Sequence, residues 1–241
     1  ARVLGRTVGA FIGAIHAGHG VDLRCGSEVE WLEDEHGRLV RAHLVDGTRI
    51  EADLAVVALG AVRNTEWLEG SGLSADPGGV DCDARGYAVD TDGTADPRIA
   101  AAGDVARFPH PLYDGRRVAL EHWSQAVAQG IHAGRLLAGA VPEGPYAELP
   151  TFWSTQGDLV VKSAGLTEGA DAVAITQGDP ASGRFVALYG REGRCIAAVS
   201  VDSARWLPAH AELVAARAPF PPRGGATDRP KEIEIFAPDF P

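Results

Sequence analysis

The sequence predicts an α/β region followed by a smaller α+β domain, and two observations lead to this fold class. Up to about residue 145, apolar runs of strand length alternate with segments of helical periodicity, which is typical of α/β proteins. After a segment rich in proline and glycine, Pro142 to Pro150, the pattern changes to four strand-like stretches and one helix. We therefore expect a domain boundary in this segment.

The N-terminal residues, up to Gly60, read as the back half of a nucleotide-binding α/β domain. Apolar residues at helical spacing predict a helix from Gly5 to Ala17. Strand-like stretches follow, with turn signals at His36-Gly37 and Asp46-Gly47. The predicted strands are Val21 to Arg24, Val29 to Leu32, Leu39 to Leu44, Arg49 to Glu51 and Leu54 to Leu59. The last is apolar throughout, as expected for a strand covered on both faces. The G-x-G-x-x-G turn of the front half occurs nowhere in these 241 residues.

The next region contains the candidate site. Its pattern predicts a short helix from Asn64 to Leu73, a strand from Gly86 to Thr91, a buried strand from Ile99 to Ala102, a loop from Val105 to Arg117, and a helix from about Ser124 to Leu137 with Ser124 as its N-cap. The buried strand ends at Gly103-Asp104. In open α/β sheets, ligands bind at the carboxyl ends of the strands.

Two features of this region favour a bound ligand. The Asp104 carboxylate can accept hydrogen bonds from ribose or ribityl hydroxyls, and Gly103 lets a ligand approach the backbone. The alternative is a strand-to-loop corner with a solvated or turn-capping aspartate. The helix start near Ser124 presents free N–H groups and a partial positive charge, which favour an anionic ring or phosphate. The alternative there is a plain surface helix preceded by an aromatic residue.

The C-terminal region predicts a compact α+β domain. Its expected strands are Leu159 to Ser163, Val173 to Gln177, Phe185 to Arg191 and Cys195 to Val201. Glu192-Gly193 predicts a tight hairpin between the last two strands, and Pro208 to Arg217 predicts a helix with proline in its first turn. The tail from Ala218 onward is rich in proline and glycine, and we expect it to be extended or poorly ordered.

Composition excludes several classes of function. A net charge of −11 argues against nucleic-acid binding, and no apolar run approaches the roughly 18 residues of a membrane helix. The three cysteines include no C-x-x-C pair and the eight histidines show no metal-ligand spacing, so we expect no metal site and a cytoplasmic location. Because the chain contains no methionine, we expect it to be the downstream part of a longer polypeptide.

Four motifs together resemble the flavin-dependent ferredoxin and rubredoxin reductases of the pyridine nucleotide-disulfide oxidoreductase superfamily. They are LAVVALGAVRNTEWL (Leu54 to Leu68), RIAAAGDVARFPHP (Arg98 to Pro111), EHWSQAVAQG (Glu121 to Gly130) and TFWSTQ (Thr151 to Gln156). Their order and spacing extend across nearly the whole chain. The resemblance implies a protein that passes electrons from NADH, in preference to NADPH, through FAD to a [2Fe–2S] ferredoxin or similar acceptor that serves an oxygenase or cytochrome P450.

The resemblance also implies a domain organisation. Residues 1–62 correspond to the C-terminal half of an NAD-binding domain and residues 63–145 to the second segment of an FAD-binding domain. Residues 146–217 correspond to the reductase C-terminal domain, and residues 218–241 to an extended tail. Both glycine-rich fingerprints of the family are missing from this sequence. We therefore expect residues 1–241 alone to bind FAD weakly or not at all.

The residues implied to bind cofactors follow from these motifs. Gly103 and Asp104 correspond to the turn that contacts the FAD ribityl chain. The segment Glu121, His122, Trp123 and Ser124 corresponds to the one near the flavin N1/O2 edge, and Gly60 to a turn near NAD. Trp153 corresponds to a tryptophan beside the isoalloxazine and is a candidate neighbour on the electron-transfer route. No side chain is expected to be catalytic, since the flavin carries the chemistry.

Three residues depart from the family pattern, and other functions remain open. Arg63 replaces the usual proline, Gln125 the usual asparagine, and Thr155 the usual acidic residue. The alternatives within the same fold are an NADH oxidase and a nitrite reductase subunit. A further alternative is a non-catalytic, stand-alone binding or scaffold module.

Overall fold

A computed structural model of the chain describes residues 4–140, 143–222 and 235–237. The chain divides into two compact units, one formed by Ile12–Val62 and the other by the residues on either side of that range. Over the described residues, no helix has both the length and the apolar character needed to span a membrane.

The smaller unit contains an antiparallel meander, as predicted. Its strands are β1 (Val29–Glu35), β2 (Arg38–Leu44) and β3 (Arg49–Glu51), in the order β1-β2-β3. Aspartates fix both turns, since Asp34 accepts a hydrogen bond from the Gly37 N–H and Asp46 accepts one from the Thr48 N–H. Helix α1 (Gly5–Gly18) confirms the predicted helix; its first residues belong to the larger unit.

Two strands predicted in the smaller unit are wrong. The segment from Val21 to Arg24 has no strand structure, and neither has the apolar run from Leu54 to Leu59. The large side chains of that run, Leu54, Val56, Val57 and Leu59, are 74–93% exposed. A strand needs a neighbour to pair its N–H and C=O groups. Because no described strand lies beside either segment, their local β propensity is not expressed.

The first part of the larger unit has two small sheets and one long helix. The strands are β4 (Ala75–Asp76), β5 (Gly79–Asp81), β6 (Tyr87–Val89), β7 (Ala95–Ala100), β8 (Ala106–Pro109) and β9 (Arg117–Ala119). They form one sheet of order β4-β5-β8-β9 and a separate β6-β7 pair. Helix α2 (Trp123–Leu137) follows them. The strand predicted at Gly86 to Thr91 is confirmed by β6.

Three other predictions for this part are wrong. The helix from Asn64 to Leu73 is only a 3₁₀ turn at Glu66–Leu68, because Gly70 and Gly72 adopt positive φ and break the helix. The strand containing Ile99 is not buried, since β6 is the only described strand that pairs with β7, and Ile99 is exposed. The segment predicted as a loop from Val105 to Arg117 instead forms β8, a 3₁₀ turn and the start of β9.

The second part of the larger unit is an antiparallel sheet covered by one helix. Its strands are β10 (Thr151–Gln156), β11 (Leu159–Gly165), β12 (Ala172–Asp179), β13 (Arg184–Arg191), β14 (Arg194–Val201) and β15 (Ile235–Phe236), and its helix is α3 (Leu207–Ala215). The sheet order is β10-β11-β14-β13-β12-β15. The four predicted strands, the predicted hairpin and the predicted helix are all confirmed. No strand is predicted at the position of β10, which coincides with the TFWSTQ motif.

The core of this part lies between the sheet and α3. Val186, Leu188 and Ala198 are fully buried on the sheet, and Val214 of α3 packs against them. Of the predicted tail, Ile235–Phe236 pairs with β12, and residues 223–234 and 238–241 lie outside the described residues.

Tyr113 joins the two parts of the larger unit. Its hydroxyl donates to the Ile196 carbonyl oxygen at 3.4 Å and accepts from the Leu166 N–H at 2.7 Å. Burial raises the pKa of Tyr113 to about 12, so the phenol stays protonated and keeps both bonds. The 3₁₀ turn Pro111–Tyr113 is therefore held against the C-terminal sheet.

Candidate functional site

The turn at Gly103-Asp104 presents a carboxylate to solvent. Gly103 has φ +77°, and its N–H donates to the Gln129 side-chain oxygen at 2.6 Å. Asp104 lies in the 3₁₀ turn Gly103–Val105 and is exposed. Its carboxylate makes no hydrogen bond or ion pair with any described residue. The group is therefore free to accept hydrogen bonds from a ligand.

Helix α2 begins beside β10 of the C-terminal sheet. The helix starts at Trp123, and His122 occupies the N-cap position without a side-chain capping bond. The prediction of Ser124 as N-cap is wrong. Its hydroxyl instead donates to the Thr151 carbonyl oxygen at 2.7 Å and lies 3.1 Å from the Thr151 hydroxyl oxygen. The serine is used to hold the helix start against β10, which leaves the first N–H groups of α2 without a side-chain cap.

His122 packs against the same strand. Its ring stacks on Phe152 with 5.3 Å between centroids and 24° between planes. Burial lowers the pKa of His122, so the imidazole is neutral near pH 7. With a neutral ring at this position, the histidine adds no positive charge to that of the helix dipole and of the first N–H groups of α2.

Two tryptophans project from these adjoining elements. Trp123 is 75% exposed at the start of α2, and Trp153 is 53% exposed on β10. Their neighbours in sequence make the contacts between the two elements, namely His122 with Phe152 and Ser124 with Thr151. Large exposed indoles that the core does not require are typical of binding surfaces.

Two buried glutamines of α2, whose roles the sequence did not reveal, position the site. Gln129 is 4% exposed and accepts from Gly103, while its Nε2 is buried and has no described acceptor. Gln125 donates to the Leu149 carbonyl oxygen at 3.1 Å and accepts from the Tyr146 hydroxyl at 3.3 Å. The signal available in the sequence was their spacing of four residues, which puts two amides on one helix face.

Glu121 is the other site residue whose partner the sequence did not predict. Its carboxylate accepts a hydrogen bond from Arg63 at 2.6 Å, and the same arginine also bonds to the carbonyl oxygen of Asp104. The structure thus brings Gly103, Asp104, Glu121, His122, Trp123, Ser124 and Trp153 together through direct contacts or through immediate neighbours in the chain.

Gly60 belongs to the smaller unit and is described there alone. It has φ +88°, and no atom lies within 4 Å of the position that a Cβ would occupy. A positive φ favours glycine at a turn. Its relation to a nicotinamide cofactor stays a prediction.

The described residues offer neither a dithiol nor a metal cluster. Cys25 is exposed, whereas Cys82 and Cys195 are buried and burial raises the pKa of each thiol to about 11. In the ranges that the structure describes, no group of three or more histidine, cysteine or carboxylate side chains is arranged to hold a metal ion.

Comparison of the chain with known proteins identifies the family to which it belongs. The sequence profile described as pyridine nucleotide-disulphide oxidoreductase matches residues 1–130, and a profile described as reductase C-terminal matches residues 151–231. The chain belongs to the pyridine nucleotide-disulphide oxidoreductase family. The family resemblance and the predicted fold class, partial α/β domains followed by an α+β domain, are therefore confirmed.

Similar proteins of this family include ferredoxin reductases. A ferredoxin–NAD(P)(+) reductase of Sphingomonas sp. is 32% identical over 98% of this chain and 54% of its own length. The putidaredoxin reductase CamA of Pseudomonas putida is 34% identical over 83% of this chain and 46% of its own length. The crystal structure of a covalent putidaredoxin reductase–putidaredoxin complex superposes with a TM-score of 0.78 at 30% identity, covering 90% of this chain and 50% of that one. The chain spans about half the length of the curated relatives it matches.

Proposed function

We propose that this chain is part of a flavoprotein that passes electrons from NADH through FAD to a [2Fe–2S] ferredoxin serving an oxygenase or cytochrome P450 system. The observation that carries the proposal is the packing of the α2 start against β10, which puts Trp123 and Trp153 on adjoining elements. The names of its relatives, which include a ferredoxin–NAD(P)(+) reductase, support the same function.

The described residues fit FAD as the cofactor. A free carboxylate at Asp104 suits the ribityl hydroxyls of a flavin. Gly103 has a positive φ that favours glycine, and a Cβ there would lie 3.6 Å from the Ala126 Cβ, so the turn lies directly on α2. The buried Nε2 of Gln129 is a donor without a described acceptor beside this turn. An unpaired buried donor is costly unless some partner satisfies it.

Each residue of the site has a distinct task in this proposal. Asp104 accepts hydrogen bonds from the ribityl chain, and Gly103 lets that chain approach the backbone. The first N–H groups of α2, at Trp123 and Ser124, would stabilise negative charge on the reduced flavin ring. The neutral His122 keeps the start of the helix packed on Phe152. Trp153 lies on the route toward the acceptor. FAD bound at these residues would supply the chemistry that converts hydride transfer from the nicotinamide into single-electron transfer to the acceptor.

The remaining assignments rest on the same reading of the chain. We assign residues 1–62 to the C-terminal half of an NAD-binding domain, 63–145 to the second segment of an FAD-binding domain, 146–217 to the reductase C-terminal domain and 218–241 to an extended tail. Gly60 is assigned to the NAD turn. We place the protein in the cytoplasm, where free thiols such as Cys25 persist.

Electron transfer in the complete gene product that contains this chain tests the proposal. Purified protein is mixed with NADH and a [2Fe–2S] ferredoxin, and ferredoxin bleaching and oxygen consumption are recorded in parallel. We expect NADH-dependent bleaching that greatly exceeds oxygen consumption. Oxygen consumption without a need for ferredoxin would indicate an oxidase instead, and a protein with neither activity would indicate a binding module.

A further inference from the structure

Arg63 joins three separate segments of the candidate site. Its Nε donates to the backbone carbonyl oxygen of Asp104 at 2.6 Å, and its Nη2 donates to Oε1 of Glu121 at 2.6 Å. The two acceptors lie 41 and 58 residues further along the chain. The Arg63 side chain is only 17% exposed. One guanidinium therefore connects the first residue after Val62, the Gly103-Asp104 turn and the segment that leads into α2.

The surroundings of Arg63 are shaped to hold it. Gly79 has φ +121°, and a Cβ there would lie 2.6 Å from the Val105 carbonyl oxygen and 3.5 Å from Cδ of Arg63. A side chain at position 79 would thus clash with the site turn, whereas the arginine stem lies at ordinary van der Waals distance from this position. The neighbouring Thr65 donates to the Asp76 carbonyl oxygen at 2.9 Å, which fixes the segment that carries Arg63.

We propose that Arg63 is a positioning residue of the flavin site, where its two donors hold Asp104 and the Glu121–Trp123 segment in register. This inference rests on the proposed function. The planar guanidinium offers several N–H donors in a fixed fork, so it can serve two acceptors on different segments. A lysine keeps the charge but lacks this fork.

The charges of the Arg63–Glu121 pair give the proposal a distinctive sign. The positive charge of Arg63 and the negative charge of Glu121 compensate each other while both side chains are present. Replacing Arg63 with a neutral residue leaves Glu121 as an uncompensated negative charge beside the site, whereas neutralising Glu121 leaves Arg63 as an uncompensated positive charge. Negative charge near a flavin opposes its reduction, and positive charge favours it. The two substitutions should therefore move the flavin midpoint potential in opposite directions.

The test uses the complete gene product with its flavin. The variants are Arg63→Gln, Arg63→Lys, Glu121→Gln and the double variant Arg63→Gln/Glu121→Gln. Arg98→Gln is the matched control, because Arg98 is 85% exposed and pairs with Asp96 only two residues away. FAD dissociation constants come from flavin fluorescence, and midpoint potentials come from spectroelectrochemical titration.

We expect Arg63→Gln to weaken FAD binding roughly three- to tenfold, given the usual strength of charge-assisted bonds near a surface. Its redox equilibrium should shift toward the oxidised form about three- to tenfold, where tenfold corresponds to about 30 mV for two electrons. Glu121→Gln should shift it toward the reduced form, and the double variant should lie near the wild type. Arg63→Lys should bind FAD less tightly yet keep a midpoint close to the wild type.

The outcomes separate this inference from the proposed function. A wild-type protein that binds no flavin overturns both. A flavin-loaded protein in which the Arg63 and Glu121 variants shift the midpoint in the same direction shows simple loosening of the site and overturns the role of Arg63 alone. The same holds if Arg63→Gln behaves like the Arg98→Gln control.

Discussion

Replacing Gln125 with leucine should destabilise the chain by breaking the fastening between α2 and the segment before β10. Gln125 is 1% exposed, donates to the Leu149 carbonyl oxygen at 3.1 Å and accepts from the Tyr146 hydroxyl at 3.3 Å. Tyr146 is itself buried, so its hydroxyl has no access to bulk water once the amide is gone. Leucine has a similar volume, which restricts the perturbation to the hydrogen bonds.

The size of the effect follows from the two bonds and the group left behind. Each hydrogen bond contributes about 1 kcal/mol, and an unsatisfied buried hydroxyl costs about 1–3 kcal/mol. Because the Tyr146 bond is long and Leu149 is only half-buried, we expect Gln125→Leu to lower the free energy of unfolding by about 2–3 kcal/mol. For a chain of this size, that corresponds to a fall of roughly 4–12 °C in Tm.

A second substitution distinguishes the unsatisfied hydroxyl from a packing defect. Adding Tyr146→Phe removes the hydroxyl that Gln125→Leu leaves unsatisfied, so the double variant should recover about 1–2 kcal/mol relative to Gln125→Leu alone. Urea unfolding followed by circular dichroism measures all variants. Val127→Ala, on the exposed side of α2, is the control and should change stability by less than about 0.5 kcal/mol. A Gln125→Leu variant as stable as this control, or a double variant less stable than Gln125→Leu, would show that the Gln125 amide does not satisfy the Tyr146 hydroxyl in this way.

Two further predictions concern buried groups. His110 has a lowered pKa because of burial, and its ring nitrogens bond the Glu148 carbonyl oxygen and the Leu112 N–H as a neutral imidazole. The stability that neutral His110 gives should be complete above its unfolded pKa of about 6.5 and should be lost as the pH falls below that value. In this range the free energy of unfolding should fall by at most about 1.4 kcal/mol per pH unit, and His110→Gln should remove this dependence. Equal pH dependence of the two proteins in urea titrations would contradict this. Gly165→Ala should cost more than about 3 kcal/mol, because φ is +86° and a Cβ would lie 2.2 Å from the Ile196 carbonyl oxygen; a soluble variant with unchanged Tm would contradict it.

Local signals in the sequence predicted the elements that form from neighbours in the chain. The meander of the smaller unit follows from its turn residues, and the hairpin at Glu192-Gly193 follows from two positions that both adopt positive φ. Three of the five strand pairs in the C-terminal sheet join consecutive strands, the exceptions among the described strands being β11-β14 and β12-β15. The sequence within a short segment is therefore enough to predict these elements.

The elements that failed depend on tertiary context. The run from Leu54 to Leu59 has the composition of a buried strand, but it has no described strand beside it and stays exposed. Ser124 has the chemistry of an N-cap, but β10 lies within reach and its Thr151 carbonyl oxygen takes the hydroxyl instead. Pairing partners of this kind lie outside any local window.

The candidate site shows the same division. The motifs indicated Asp104, Trp123 and Trp153 because ligand-facing residue types occupy characteristic positions. Arg63 and Gln129, which bond to the Gly103-Asp104 turn and to Glu121, act through contacts 26 to 58 residues apart. Spacing in the sequence carries no information about such contacts, so only the folded chain reveals them.

The FAD affinity of an Asp104→Ala variant is the most direct test of whether the Gly103-Asp104 turn and the start of α2 form a flavin site. In the complete gene product, loss of a charged acceptor worth about 1.5–3 kcal/mol should weaken FAD binding about 10- to 100-fold. Asp158→Ala, at an exposed turn, is the matched control and should leave FAD binding unchanged. Equal FAD affinity in the two variants would contradict the flavin site described here.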